Sequence, residues 1–188
     1  MTRNYGKSTD REIVARLQEG QGLAYRFLAR CFHAPVDEQW LSRLARERMF
    51  EAWPFPSTDE NVTVGLSTLQ TFCLDVDAAS VRRVEWDFNR LFVGPGNTLA
   101  PPWESVHRSK TGLTFQESTL EVRTVYEQFG LETPAIHREP DDHIALELAF
   151  LAHVSEEAAD ASRHGDVERC ERCGEAQAGF LRDHLLEW

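Results

Sequence analysis

Apolar residues recur at intervals of three and four along most of this chain, which is the spacing of one face of an α-helix. After residue 143, for example, Leu148 and Leu151 fall within about 80° of Ile144 on a helical wheel. No segment combines two-residue alternation with β-branched enrichment, so no sheet is predicted. The pattern therefore predicts an all-α fold, a single-domain bundle of about seven helices over residues 1–188.

Polar caps and glycines divide this pattern into separate helices. Capping boxes, in which Ser or Thr stands three residues before Glu, are predicted at residues 9–12, 57–60 and 114–117. A fourth helix is predicted over residues 78–92, and Gly130 is expected just beyond the end of the fifth. The apolar face predicted for the first helix consists of Ile13, Leu17, Ala24, Phe27, Leu28 and Cys31.

Two titratable residues interrupt the apolar face of the helix that follows residue 143. His143 and Glu147 lie one turn apart on the face that should be buried. An unpaired buried charge costs several kcal/mol, so this pair needs partners. Either the two side chains hydrogen-bond each other, or they form the polar floor of a binding site.

Two irregular segments, residues 93–102 and 131–140, are longer than ordinary connectors in a helical bundle. Loops of this length usually carry function, and the second is also a candidate hinge. The first contains Pro101 and Pro102, which with Trp103 form a rigid apolar wall at little entropic cost. Trp103 is interpreted either as part of a binding surface or as a residue that pins the loop to the core.

Trp86 is the second unusual aromatic residue of the chain. It lies roughly 160° from Phe88 on the fourth helix, toward the side expected to face solvent. An aromatic side chain on a polar face is a common anchor for a partner protein. Packing under a neighbouring loop is the alternative interpretation.

The net charge of −11 argues against nucleic acid as a partner and favours a basic partner instead. No apolar run is long enough to span a bilayer, and the first residues do not resemble a signal peptide. The protein is therefore predicted to be cytoplasmic, without membrane insertion, and its four cysteines are interpreted as reduced thiols. Cys170 and Cys173 lack the second cysteine or histidine pair of a zinc site.

Glu104 and His107 have the spacing of half a dinuclear carboxylate metal site in a helical bundle. The other half is missing, because the chain has no second Glu-x-x-His motif. A metalloenzyme that also uses Glu139, His143 and Glu147 is the alternative of another class. The sequence contains no glycine-rich phosphate loop and no serine elbow, so it favours a protein that is not an enzyme and holds no cofactor.

Three segments in this order closely resemble the TorD/DmsD family: LFVGP at residues 91–95, APPWESV at 100–106 and EPDDH at 139–143. The segment YRFLA at residues 25–29 is similar to the first helix of that family, and the resemblance covers most of the chain. Members of the family are all-helical cytoplasmic chaperones. They bind the signal peptide of a twin-arginine-exported molybdoenzyme until the molybdenum cofactor is loaded, and they generally continue past a segment similar to residues 184–188.

The resemblance implies that this chain binds the twin-arginine signal peptide and the apo form of a molybdoenzyme catalytic subunit of the DMSO or TMAO reductase type. A nitrate reductase or formate dehydrogenase client is the alternative, and guanine nucleotide binding is disfavoured because the sequence has no phosphate cradle. The assembly is expected to be a monomer or a homodimer, including one that exchanges elements between subunits. The expected peptide-binding residues are Trp86, Phe88, Leu91, Phe92, Pro101, Pro102, Trp103, Glu104, Asp141, Asp142 and His143.

A twin-arginine peptide is basic at one end and modestly apolar beyond it, so two kinds of contact are expected. The arginines are expected to meet Asp141, Asp142 and either Glu139 or Glu104 through charge-assisted hydrogen bonds. His143 is a candidate for tuning release, because histidine titrates near physiological pH. The apolar run is expected to lie in a groove formed by Phe88, Leu91, Phe92, Pro102 and Trp103.

Overall fold

The computed structural model describes residues 3–55, 57–95, 98–133 and 139–188, with side chains from residue 9 onward. The chain divides into two compact units. One combines Met1–His33 with Pro101–Trp188, and the other is Ala34–Ala100.

The expected hinge at 131–140 falls inside the first unit, and its residues 134–138 lie outside the described part. The single domain and the hinge therefore stay predictions from the sequence.

The elements, in chain order, are α1 (Arg3–His33), α2 (Glu38–Arg46), α3 (Glu60–Leu74), α4 (Ala78–Phe88), α5 (Glu104–Arg108), α6 (Glu117–Gln128), α7 (Ile144–His164) and α8 (Val167–Phe180). π-Helical turns extend α4 over Asn89–Val93 and α8 over Leu181–Leu185. The described residues contain no β-strand, which confirms the all-α prediction. None of the described helices is long and apolar enough to cross a membrane.

The core of the first unit lies where α6, α7 and α8 meet, and α1 packs along α7 on another side. Aromatic rings form its centre. The ring of Phe150 lies 5.0 Å from that of Tyr126 and 4.8 Å from that of Phe180, measured between centroids. Such offset aromatic contacts add to the stabilisation that comes from burying apolar surface. The buried cluster consists of Val122, Tyr126, Phe150, Leu151, Val154, Ala158, Cys173 and Phe180.

The apolar face predicted for α1 is partly wrong. Ile13 and Leu17 were expected inside, but 53 % and 54 % of their surfaces are exposed. Phe27 is buried as predicted, and the buried positions of α1 also include small residues seven apart, namely Ala15, Gly22 and Ala29. A Cβ on Gly22 would lie 3.4 Å from the carbonyl oxygen of Ala152 in α7, so the two backbones approach closely here.

The predicted capping boxes are wrong in detail. Thr9 lies inside α1, which begins at Arg3. The cap of α3 is Asp59 rather than Ser57, because the Asp59 carboxylate accepts from the first-turn N–H groups of Asn61 and Val62. The α6 helix begins after Gln116, which makes no side-chain cap, rather than after Thr114.

Gly130, by contrast, follows α6 as predicted. Its backbone φ is +68°, a left-handed conformation that glycine adopts without strain.

The second unit contains α2, α3 and α4. Leu41 and Leu44 of α2 are buried. The start of α4 is fixed by a reciprocal capping box, in which the Asp77 carboxylate accepts from the backbone of Ser80, and the Ser80 hydroxyl accepts from the backbone of Asp77. The predicted helix over 78–92 is therefore present, with its last turn wound as a π-helix.

Candidate functional site

Backbone hydrogen bonds join two segments of the first unit that are distant in sequence. We refer to residues 101–108 and 139–147 together as the junction. The N–H of Glu104 donates to the carbonyl of Asp142 at 3.0 Å, and the N–H of Ile144 donates to the carbonyl of Pro102 at 2.8 Å. Trp103 and His143 thereby form an isolated antiparallel β-bridge. The two motifs expected to share a site are therefore adjacent.

Asp142 holds the junction together from inside. Its side chain is fully buried. One carboxylate oxygen accepts from the N–H of Ser105 at 2.6 Å, and the other accepts from the Thr119 hydroxyl at 2.9 Å. Because Ser105 is in the first turn of α5, the carboxylate caps that helix from a separate segment. Asp142 thus fixes α5 and α6 to the start of α7.

Asp141 is also buried, and its carboxylate is likewise held by hydrogen bonds from other segments. Arg123 of α6 donates two hydrogen bonds to one carboxylate oxygen, at 3.0 and 2.6 Å. Thr133 donates to the other oxygen at 2.7 Å, and the Tyr126 hydroxyl donates to the backbone carbonyl at 3.1 Å. The charge of Asp141 is therefore neutralised within the protein.

Glu104 is fully buried and links the junction to the turn that follows α8. Its carboxylate is paired with Arg108 and lies 3.1 Å from the Nδ1 atom of His184. Arg108 also donates to the carbonyl of Asp183 at 3.1 Å. Burial alone would raise the pKa of Glu104, but the hydrogen bonds from His184 and Arg108 outweigh it and hold this pKa below its ordinary value. Glu104 is therefore ionised.

Glu147 differs from the other three carboxyls, because both of its oxygens lack a hydrogen-bond partner among the described residues. It is fully buried. Burial, followed by the nearby charge of Glu104, raises the pKa of Glu147 to about 10. Glu147 is therefore protonated and neutral at neutral pH.

His143 does not pair with Glu147, so the interpretation of these two side chains as a mutual hydrogen bond is wrong. Its Nδ1 atom instead accepts the N–H of Ala145 at 3.0 Å and caps α7. Burial lowers the pKa of His143, although the charge of Glu139 opposes the shift. A neutral imidazole is also what an accepting Nδ1 atom requires.

One accessible edge of the junction is formed by Trp103, Glu139 and His143, all of which are half-buried. The indole N–H of Trp103 donates to the Glu139 carboxylate at 2.8 Å. The Trp103 ring meets the His143 ring edge-on, with 5.8 Å between centroids. An apolar ring, a carboxylate and an imidazole are therefore held side by side where a ligand can reach them.

Four of the expected contact residues are less accessible than the sequence suggested. Pro102, Glu104, Asp141 and Asp142 are buried, and the three carboxylates already have internal partners. A direct ionic contact between these carboxylates and a ligand would require breaking those bonds. Pro101 is half-buried, and its carbonyl lies 2.7 Å from Nε2 of His107.

The other expected residues belong to the second unit. Phe88 and Phe92 meet edge-to-face, with 5.0 Å between ring centroids. Leu91 is half-buried like both of them, and its carbonyl accepts from the N–H of Ala100 at 2.9 Å. Trp86 is 63 % exposed, as its position on the polar face of α4 indicated.

Apart from Glu147, the residues considered for a metal site make other contacts. His107 stacks on Trp188 with 5.1 Å between ring centroids. In the part of the chain that the structure describes, no group of three or more His, Cys, Asp or Glu side chains is arranged to hold a metal ion.

Cys170 and Cys173 are free thiols on α8, and burial raises the pKa of both. Neither is a thiolate at neutral pH, so neither has the reactivity of a redox motif.

The sequence did not reveal the partners of the buried carboxylates in the junction, which are Ser105, Arg108, Thr119, Arg123 and His184. Each is an ordinary residue type at an ordinary helical position. The carboxylates themselves were visible in the sequence, but their burial was not, and their partners come from α5, α6 and the turn after α8. No local spacing could have identified them.

Comparison with known proteins finds a matching family model and several similar proteins. A family model described as the nitrate reductase delta subunit matches residues 56–188. The chaperone protein TorD of Photobacterium profundum is 30 % identical over 102 residues, which cover 54 % of this chain and 46 % of that protein. The probable Tat proofreading chaperone DmsD of Haemophilus influenzae is 29 % identical over 101 residues, which cover 54 % of this chain and 42 % of that protein.

The chain thus spans less than half the length of these two curated relatives. A crystal structure of a candidate redox enzyme maturation protein from Archaeoglobus fulgidus is also similar. It shares 21 % identity with a TM-score of 0.47, and the match covers 88 % of this chain and 90 % of that one.

Proposed function

This chain belongs to the nitrate reductase delta subunit family, and from that membership we propose that it is a non-enzymatic maturation chaperone for a redox enzyme catalytic subunit. In the fuller form of the proposal, the chain works in the cytoplasm and binds the twin-arginine signal peptide of a molybdopterin-containing oxidoreductase. It holds the apoenzyme until the cofactor is inserted, before export through the Tat pathway. The names of the TorD and DmsD relatives support this proposal.

The observation that carries the proposal is the accessible edge formed by Trp103, Glu139 and His143. A twin-arginine leader presents guanidinium groups next to a short apolar run. Glu139 is the accessible carboxylate of the junction, and it suits a charge-assisted hydrogen bond from arginine. The Trp103 ring beside it suits either the apolar run or stacking by a guanidinium group.

In this proposal the buried carboxylates position the binding edge instead of contacting the arginines. Asp142 caps α5 and thereby fixes the residue before it, Trp103. Asp141 anchors the turn that carries Glu139 and His143. The client arginines therefore bind Glu139, which revises the contacts expected from sequence.

We assign the apolar run of the leader to Trp103 of the first unit, with Pro101 and Pro102 supporting the Trp103 segment. The contacts that the sequence suggested for Phe88, Leu91 and Phe92 stay predictions. Burying roughly 600–1,000 Å² of surface contributes on the order of 15–25 kcal/mol gross. Ordering a flexible peptide offsets most of this gain, so the dissociation constant is expected to be roughly micromolar.

Isothermal titration calorimetry with a synthetic twin-arginine leader tests the proposal. Trp103→Ala and Glu139→Gln are each expected to weaken binding at least tenfold. Leu120→Ala and Glu117→Gln serve as matched controls, because both residues are exposed on α6 of the same unit. Thermal melts of each variant separate a lost contact from a lost fold. The proposal would be refuted if the wild-type protein did not bind the leader. It would also be refuted if both site variants bound the leader as tightly as the controls do.

The family description favours a second client, the catalytic subunit of a nitrate reductase. Replacing both arginines of the leader by glutamine distinguishes the two. A Tat-exported client requires the arginine pair, so binding should fall sharply. A chaperone for a nitrate reductase that stays in the cytoplasm should instead prefer that enzyme's N-terminal peptide and tolerate the loss of the arginines.

A further inference from the structure

Three arginines surround the exposed Trp86 on the solvent face of α4. Arg82 lies within about 40° of Trp86 on a helical wheel and Arg83 within about 60°. Arg90, in the π-helical turn that extends α4, lies over the Trp86 ring. We refer to Arg82, Arg83, Trp86 and Arg90 as the α4 arginine surface. An open groove of about 490 Å³ runs along it, lined by Ala79, Arg82, Arg83, Trp86 and Asp87.

This surface is locally cationic on a strongly acidic protein. The whole chain carries a net charge of −11, and of the two acidic residues of α4 Glu85 lies about 100° from Trp86 on the helical wheel, outside the groove lining. Asp87 does line the groove, so its lining carries two arginines and one carboxylate. Salt screens charges beyond about 8 Å at physiological ionic strength, so a ligand in the groove experiences mainly the charges that line it, where Arg82 and Arg83 outnumber Asp87.

The three guanidinium groups differ in whether they are already paired within the protein. Arg90 lies 5.1 Å from the Trp86 ring centroid and 3.6 Å from the Asp87 carboxylate. Arg82 and Arg83 are exposed and form no salt bridge within the described part of the chain, although the charge of Arg83 contributes to lowering the pKa of Asp77 at the start of α4. Arg90 therefore holds the indole in place, whereas Arg82 and Arg83 are available to carboxylates of a ligand.

The chemistry of this surface does not suit a cationic leader. Tryptophan and arginine are the residue types most enriched at the energetic centres of protein interfaces. Opposite charge across such an interface selects the partner, and like charge excludes the wrong one. An arginine-rich peptide would meet Arg82 and Arg83 with like charge. A polynucleotide needs a far larger basic footprint than three arginines.

We propose that the α4 arginine surface docks an acidic segment of a partner protein that carries one apolar side chain. The apolar side chain packs on the Trp86 indole, while carboxylates on either side of it pair with Arg82 and Arg83. Trp86 is thereby assigned to this second partner surface and not to the leader site. The inference stands whether or not the chain binds a twin-arginine leader.

Two capped synthetic peptides test the proposal: one with a phenylalanine flanked on each side by glutamates, and one with lysines in place of the glutamates. By calorimetry in 50 mM salt (about 14 Å of screening), wild type should bind the glutamate peptide at least tenfold more tightly than the lysine peptide. Trp86→Ala and the double variant Arg82→Glu/Arg83→Glu should each weaken that binding at least tenfold. Arg46→Glu, a charge reversal on the exposed face of α2, should leave it unchanged.

Four results would overturn the proposal. They are no binding of the glutamate peptide, equal binding of both peptides, tighter binding of a single-stranded oligonucleotide, and unchanged binding in both site variants. Analytical sedimentation of the free protein tests whether a second copy of this chain occupies the surface. Self-association that Trp86→Ala abolishes would show that it does, and would overturn the proposal of an acidic partner. Leader binding is measured on the double arginine variant, and it should equal wild type. Stronger leader binding by the double arginine variant would mean that the α4 arginine surface contacts the leader, and it would contradict the assignment of Trp86 to a second partner.

Discussion

Replacing Glu147 by glutamine is expected to stabilise the protein by an amount that increases with pH. The pKa of Glu147 is raised from 4.5 to about 10, mainly by burial and next by the charge of Glu104. The unfolded chain releases this proton above pH 4.5, but the folded protein keeps it until about pH 10. Folding therefore takes up a proton between these pH values, and stability falls as pH rises.

The magnitude follows from the shift. Each pH unit between the two pKa values costs the wild type about 1.4 kcal/mol of unfolding free energy, and glutamine abolishes this cost. The advantage of Glu147→Gln over wild type should therefore grow by about 2.7 kcal/mol between pH 6 and pH 8. Comparing two pH values removes any constant effect of the amide on packing.

Urea denaturation of both proteins at pH 6 and pH 8, followed by circular dichroism, measures this change. Glu175→Gln on the exposed side of α8 is the matched control, and its difference from wild type should not vary with pH. A stability difference for Glu147→Gln that stays constant between the two pH values would refute the reasoning, since it would mean that Glu147 is equally ionised in the folded and unfolded states.

Two further predictions concern stability. Asp142→Ala should lower the unfolding free energy by about 2–4 kcal/mol in urea denaturation, because the buried N–H of Ser105 and the hydroxyl of Thr119 lose their acceptor; a loss below about 1 kcal/mol would contradict its anchoring role. Gly165→Ala should destabilise by about 1 kcal/mol, because its φ is +73°, whereas Gly174→Ala in α8 should stabilise by roughly 0.5–1 kcal/mol. Thermal melts that showed the same sign for both glycine variants would contradict the backbone argument.

Helical periodicity was sufficient to predict the all-α fold and the position of α7, because a long apolar stripe has few other solutions. The same rule failed on α1. It favoured the large side chains Ile13 and Leu17, whereas close contact with α7 is possible only on the face that carries Ala15 and Gly22. Periodicity detects hydrophobicity, but the distance between two helices depends on side-chain size.

The candidate site was predictable in composition but not in geometry. The sequence predicted that Trp103 and the acidic start of α7 lie side by side, and the β-bridge between Trp103 and His143 confirms this adjacency. That they bind a ligand together stays a prediction. The sequence did not show that Asp142 is satisfied by α5 and α6, or that Glu104 is paired with His184. Such partners are set by tertiary packing, so the sequence overestimated how many carboxylates face a ligand.

Photocrosslinking of a twin-arginine leader to the wild-type protein tests the central claim most directly. A benzophenone side chain is placed in the apolar run of the leader, and the crosslinked residues are identified by mass spectrometry. Crosslinks are expected at Trp103 and within residues 139–143, and an excess of unlabelled leader should reduce them. Competable crosslinks that fall instead on α2 or α8, with none at the junction, would contradict the claim.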